Sequence, residues 1–336
     1  MGNINLWRHI KSVTYAASSQ FTIELPRDYF MRKVGIRARL ALASSTGLTS
    51  AYLKGAVCMG DVISRVELVR NGNDTIRSLP MRAILEQNQM DYGVNEINNT
   101  VAAAAIPDLS FTGILDLAMP RTVREFDTFL NTRKCSSLNL IITTAAAPAV
   151  GTILFNSAST PSAVGALTGF IDVFTLETSP VSVPADRDFA TYKQSRIQVP
   201  ITATESEHPV TLALGGSYRG FLIEALNAAS APLLEPAAAI LNAVTLSQGT
   251  YNVIGNWRAD TIAGENKHKL ALQAAATGRY YLDLCPDGLL SEALDSSVLS
   301  SLQMKLDVTV GTVTEINIYP QVIYFPAASA LPVAQA

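Results

Sequence analysis

Val66-Glu67-Leu68-Val69-Arg70-Asn71-Gly72 is an alternating run that breaks on a turn, and Val244-Thr245-Leu246-Ser247-Gln248-Gly249 spells the same run later in the chain. Side chains of a strand point alternately to opposite faces, so each run reads as a half-buried strand closed by turn residues. Three further blocks repeat in the same order. Leu115-Asp116-Leu117-Ala118-Met119-Pro120 is answered by Leu282-Asp283-Leu284-Cys285-Pro286-Asp287. Leu138-Asn139-Leu140-Ile141-Ile142 is answered by Leu302-Gln303-Met304-Lys305-Leu306, and Ile171-Asp172-Val173-Phe174 by Ile316-Asn317-Ile318-Tyr319. The offsets fall from 178 through 167 and 164 to 145 residues, so order is kept while the loops of the second half shorten. In a chain that is 48% hydrophobic, Leu-x-Leu triplets recur by chance, but four blocks in one order do not. The reading is a duplicated β domain.

At 336 residues the chain is too long for one ordinary β domain and fits two. Only 16% of residues are charged and mean hydropathy is +0.22, a composition that suits a protein hiding much of its surface against neighbours. Residues 1–180 carry a charge of +2 and residues 181–336 one of −5, with no basic run interleaved with aromatics, which argues against direct nucleic-acid binding. Arg32, Lys33, Arg37 and Arg39 read as one solvated or partner-facing side of a sheet. Cys58, Cys135 and Cys285 are odd in number and far apart, which speaks against a disulfide framework or zinc site and for reduced thiols made in a cytoplasm. The N-terminus has no apolar core of a signal peptide, and no apolar run approaches the ~18 residues of a membrane span.

Along the chain, Asn3–Ser12 is expected to form a short amphipathic helix with Ile4, Trp7 and Ile10 on one side. It either packs on its own domain or a neighbour, or acts as a foot on an anionic membrane through Trp7, Arg8 and Lys11. Strands follow at Phe21–Leu25, Val34–Leu42, Ala51–Met59 and Ile63–Arg70, then one or two helical turns at Leu79–Glu86 and a loop at Asn95–Pro107. Phe111–Leu117 and Leu138–Thr143 read as strands around a helix at Thr122–Leu130, and Ala145–Thr168 as a long surface loop. The second half repeats this with strands at Val210–Leu214, Tyr218–Leu226, Ile240–Ser247 and Tyr251–Arg258, and shorter ones at His268–Leu272 and Tyr280–Leu284. A helix is expected at Leu289–Leu302, then strands at Met304–Val310 and Glu315–Tyr324. The division is an N-terminal helix or arm over 1–15, a first unit over 16–178, a proline-bearing linker over 179–190, a second unit over 191–326 and a mobile tail over 327–336. The fold class is all-β: two tandem eight-stranded jelly-roll sandwiches with a few short helices.

A catalytic constellation is missing from the sequence. His9, His208 and His268 are isolated from one another, so a cupin-like three-His metal site is excluded; there is no nucleophile elbow and no phosphate-binding loop. Asp116 and Asp283 match in the repeat but fall in different units, which suits a duplicated structural bond better than paired catalytic carboxylates. Asp186/Asp188 and Glu205/Glu207 read as solvated loops rather than calcium ligands. No catalytic, cofactor or metal residue is assigned.

The strand–turn–helix segments Ile63–Gln87 and Ile240–Asn266, and the strand–helix–strand segments Phe111–Thr143 and Tyr280–Val310, give the chain an architecture that resembles the double-jelly-roll major capsid proteins of tailless, membrane-containing icosahedral bacteriophages and the adenovirus hexon. The resemblance covers most of the chain in order and size and rests on no residue motif. It implies a non-enzymatic shell subunit found in the virion and synthesised in the host cytoplasm. Three chains would form a pseudo-hexagonal homotrimer that contacts neighbouring capsomers, minor capsid or vertex proteins and, through Trp7, Arg8 and Lys11, the lipid of an inner membrane. The rival reading is a secreted two-jelly-roll glycan-active enzyme or a carbohydrate-binding protein, and with only Trp7 and Trp257 the chain is poorly equipped for an aromatic sugar platform.

Overall fold

Each of the repeated blocks overlaps a strand in a computed structural model of the chain. It describes residues 4–42, 53–93, 97–102, 105–122, 128–148, 153–155, 163–179, 189–228, 234–269 and 277–326. The first unit runs β1 (Ile4–Thr14), β2 (Gln20–Glu24), β3 (Phe30–Leu42), β4 (Ile63–Arg70), β5 (Asp74–Leu79), α1 (Met81–Tyr92), β6 (Ile97–Ala102), β7 (Ala105–Asp116), β8 (Leu130–Asn131), β9 (Leu138–Thr144) and β10 (Leu167–Ser179). The second runs β11 (Thr191–Ser195), β12 (Ile197–Ile201), β13 (Glu205–Thr211), β14 (Ser217–Ala228), β15 (Glu235–Pro236), β16 (Leu241–Gln248) and β17 (Tyr251–Arg258). It continues with α2 (Ala259–Lys269), β18 (Arg279–Asp283), β19 (Leu294–Asp295), β20 (Gln303–Val308) and β21 (Val313–Tyr324).

The pairing is that of two jelly rolls. In the first, β1-β10-β3-β7 faces β2-β9-β4-β5; in the second, β11/β12-β21-β14-β18 faces β13-β20-β16-β17. The two units meet through a short parallel pairing of β5 with β11, Gln194 opposite Arg77 and Ser195 opposite Ser78, which joins one sheet of each into a single eleven-stranded sheet. That pairing covers an edge of the first unit that would otherwise present unpaired backbone.

Alternation sets the cores. Val34, Ile36, Leu68, Leu140 and Val173 point into the first, and Phe221, Ile223, Leu246, Leu306 and Ile318 into the second. Strand β14 is buried along nearly its whole length, because Phe221 and Ile223 face its own core while Leu222 joins the core of the first unit. Each such fully buried side chain contributes about 1.5–3 kcal/mol.

Several sequence expectations are corrected. Asn3–Ser12 is not a helix: residues from Ile4 onward form β1, which pairs antiparallel with β10 from Ile4 opposite Ser179 to Thr14 opposite Phe170. A ten-residue helix is marginal by itself, whereas the strand satisfies an edge of β10 and sends Ile10 and Val13 towards the core, across a register shift between His9 and Lys11. Leu289–Leu302 is not a helix either, but a 3-10 turn at Leu290–Glu292 followed by β19. Here Asp295 Oδ1 accepts from the Ser297 N–H and hydroxyl, and the Ser296 hydroxyl donates to the Gly216 carbonyl, so local side chains outcompete helix bonds. The loop expected at Asn95–Pro107 contains β6 and the start of β7. Ala51–Met59 holds an isolated bridge at Leu53 and the start of a 3-10 helix, Ala56–Val62, instead of a strand. His268 lies in α2. Residues 180–188 of the expected linker, the tail 327–336, residues 123–127 of the expected helix and residues 149–152 and 156–162 of the expected loop lie outside the described residues.

Candidate assembly interface

The junction between the units is built around α1. Its sequence MRAILEQNQMDY has apolar residues on one side and Arg82, Glu86 and Gln87 on the other, yet Met81 through Asn88 are all buried. Met81, Ile84 and Leu85 enter the first core. The polar side meets the sheet β11-β21-β14-β18 of the second unit, so the helix is a wedge with no solvent face over these turns.

Arg82 bridges the two units: its Nε lies 2.7 Å from Glu224 Oε1 on β14 and its Nη1 3.2 Å from Asp61 Oδ2 in its own unit. Glu224 Oε2 also accepts from Asn317 Nδ2 and the Tyr319 hydroxyl, both at 3.2 Å. One helical turn on, Glu86 Oε1 is 2.6 Å from Arg279 Nε of β18. Buried charges persist only when paired, and the two arginines and two glutamates alternate around this cluster. Burial pushes the Glu86 carboxyl up to about 8, with the nearby Glu224 charge adding to the rise. Burial acts on Glu224 in the same direction, but Arg82 and Arg279 overcome it and hold that carboxyl below its ordinary range.

Beside this cluster, Arg77 stacks 3.7 Å over the ring of Tyr192 and donates to the carbonyls of Asp116 (2.6 Å) and Tyr192, while Gln87 Nε2 donates to the Tyr192 hydroxyl at 3.2 Å. Asp116 itself pairs with Lys33 at 3.2 Å and accepts from the Tyr92 hydroxyl at 2.6 Å. Its counterpart Asp283 pairs with Arg219 at 2.9 Å and accepts from the Cys285 N–H. Both aspartates therefore make structural bonds at the ends of equivalent strands.

The residues expected at a membrane are spread along β1. Trp7 is 59% exposed and sits 5.7 Å from the ring of Phe174; Lys11 is exposed; Arg8 is tied to Asp28 at 3.3 Å and Glu177 at 3.5 Å. The strand brings Trp7 and Phe174 together but does not gather all three onto one face. Arg37 and Arg39 are exposed on β3, with Arg39 2.7 Å from Asp172. His9, His208 and His268 fall on β1, β13 and α2, with His208 2.9 Å from Glu205. The three cysteines are buried and unbonded to each other. The residues missed by sequence reasoning are those of the junction, Arg82, Glu86, Glu224 and Arg279. Their one signal was charge inside segments that otherwise read as core.

No protein-family model matches the sequence, and no curated protein does. Solved structures do match. The chain is similar to the STIV MCP, from Sulfolobus Turreted Icosahedral Virus, at 14% identity and a TM-score of 0.75, over 98% of this chain and 99% of that one. It is similar to PBCV-1 VP54 at 11% identity and a TM-score of 0.64, over 96% and 94%. It is similar to the major capsid protein P2 from Bacteriophage PM2 at 10% identity and a TM-score of 0.59, over 98% and 100%. The chain thus has, over nearly its whole length, the double-jelly-roll fold of these viral capsid proteins.

Proposed function

We propose that the protein is the major subunit of an icosahedral viral shell, a structural protein and not an enzyme. It would assemble as a homotrimer that presents six similar sandwiches and then meets neighbouring capsomers and minor capsid or vertex proteins. The observation that carries this reading is the coupling of two equivalent jelly rolls into one body by a buried ionic junction. The full-length likeness in fold to three capsid proteins supports it. Two copies per chain in a threefold ring give near-sixfold walls, a symmetry a shell lattice can tile. Synthesis in a host cytoplasm agrees with three buried thiols and no disulfide among them. The helical membrane foot no longer supports lipid contact, since its residues form β1.

Native mass by light scattering tests the reading. A stable species at three times 35.9 kDa is expected, followed by sheets or shells at high concentration. A monomer that neither trimerises nor assembles, or a hydrolytic activity on glycans, would overturn it.

A further inference from the structure

The two units can be superimposed residue by residue through their hydrogen-bond registers. Across the first unit runs the row Ser12–Asp172–Arg37–Thr112, and across the second the row Gln198–Asn317–Glu224–Arg279. The helices match as well. Asn88 of α1 brackets Ile114, donating to its carbonyl at 2.8 Å and accepting from its N–H at 2.7 Å. Asn266 of α2 brackets Tyr281 in the same manner, at 2.7 Å both ways. Asn88 and Asn266 are 178 residues apart, the offset already read between Val66 and Val244. By that offset Arg82 corresponds to Asp260 and Glu86 to Gly264.

Within the chain, α1 lays Arg82 against Glu224. The corresponding position to Glu224 in the first unit is Arg37, and the corresponding position to Arg82 is Asp260, so the same ion pair is written again with its charges exchanged. The row holding Arg37 is not covered by a helix of its own chain among the described residues. On α2, Ala259, Ile262 and Asn266 are buried and Asp260, Thr261 and Gly264 are exposed, although α1 at the same place is buried from Met81 to Asn88. The sheet edges tell the same story. Within the chain β5 pairs parallel with β11, and their counterparts β17 and β1 each end a sheet, with Trp7 at the register position that Gln194 occupies beside β5.

We infer that α2 and β17 of one copy dock on the outward face and edge of β1-β10-β3-β7 of a second copy, with Asp260 meeting Arg37 and Trp7 covered. The contact copies the geometry of the internal junction, so it is head-to-tail rather than two-fold, and a repeated head-to-tail contact closes into a ring when its rotation allows. Glu86 and Arg279 have Gly264 and Thr112 as counterparts, so the contact between copies has no equivalent of the Glu86–Arg279 contact. The occupant is a second copy because the charge complement lies on this same chain.

This inference rests on the shell-subunit reading, and its test separates the two. Arg37→Asp and Asp260→Arg are made singly and together, with native mass as the readout and circular dichroism as the check on folding. Each single change is expected to weaken trimerisation at least tenfold, and the double change to restore it. Arg37→Cys with Asp260→Cys gives a second readout: oxidation is expected to yield covalent dimers and trimers, which neither single cysteine yields. A wild-type trimer indifferent to the charge changes and without cross-links overturns the assigned faces and leaves the shell reading standing. A wild-type monomer overturns both. Shielding of Trp7 from quencher by anionic vesicles, and not by raising protein concentration, assigns that face to lipid and also overturns the inference.

Discussion

Glu86 shows what burial does to a single side chain. Its carboxyl is raised from an ordinary 4.5 to about 8 by burial, against the pull of Arg279 and Arg82. The folded chain therefore keeps a proton that the unfolded chain releases, so stability is greatest below the unfolded value and declines as pH rises towards the folded one. One proton gives a slope of up to about 1.4 kcal/mol per pH unit. Asp116, raised to about 6 by burial, adds a slope of the same sign that ends at lower pH. Between pH 6.5 and 8.5 the denaturation midpoint should accordingly fall in the wild type and stay nearly level in Glu86→Gln. An equal slope in both proteins would place the proton elsewhere. Glu86, Arg82 and Arg279 were present in the sequence as charges in core-like segments, but nothing in spacing along one chain says that positions 86 and 279 face each other.

At the scale of elements, the paired asparagines fasten each helix to its sheet. Replacing Asn88 by Ala leaves the N–H and carbonyl of Ile114 without these partners in a part-buried setting, at a cost of about 1–3 kcal/mol, and Asn266→Ala should do the same at Tyr281. Hydrogen exchange at the Ile114 and Tyr281 amides is the measurement; unchanged protection in the variants would mean the bracket contributes nothing. The first strand offers a sharper contrast with its sequence. An amphipathic foot could be deleted without harm to the body of the protein, but β1 is paired along β10 and contributes Ile10 and Val13 to the core. Removal of residues 1–14 is expected to lower the melting temperature and expose the edge of β10 to aggregation. A truncated chain that melts like the full one would return the segment to the status of an arm.

At the scale of the molecule, the eleven-stranded sheet and the charge cluster tie the two jelly rolls together, and Leu222, Tyr281 and Tyr319 of the second unit sit in the core of the first. Independent domains joined by a linker would unfold separately. This chain should instead give one calorimetric transition, with van't Hoff and calorimetric enthalpies in agreement. Two resolved transitions would mean that the junction is weaker than its burial suggests.

The sequence by itself determined the duplication, because strand alternation and turn residues are local signals: Val66 and Val244, Asp116 and Asp283, Leu140 and Met304, and Ile171 and Ile316 all fall on equivalent strands. It also placed α1, though ending it at Glu86, six residues before its observed end at Tyr92, since Pro80 and the apolar spacing mark a helix start. Tertiary structure decided what local signals leave open. A helical spacing of Ile4, Trp7 and Ile10 yielded to an unpaired edge on β10, and the four-residue spacing of Leu290, Leu294, Val298 and Leu302 yielded to serine and aspartate bonds with the backbone. The junction was decided there too, for an ion pair between residues 82 and 224 exists only once α1 has packed on the sheet that carries β14 and excluded the water between them.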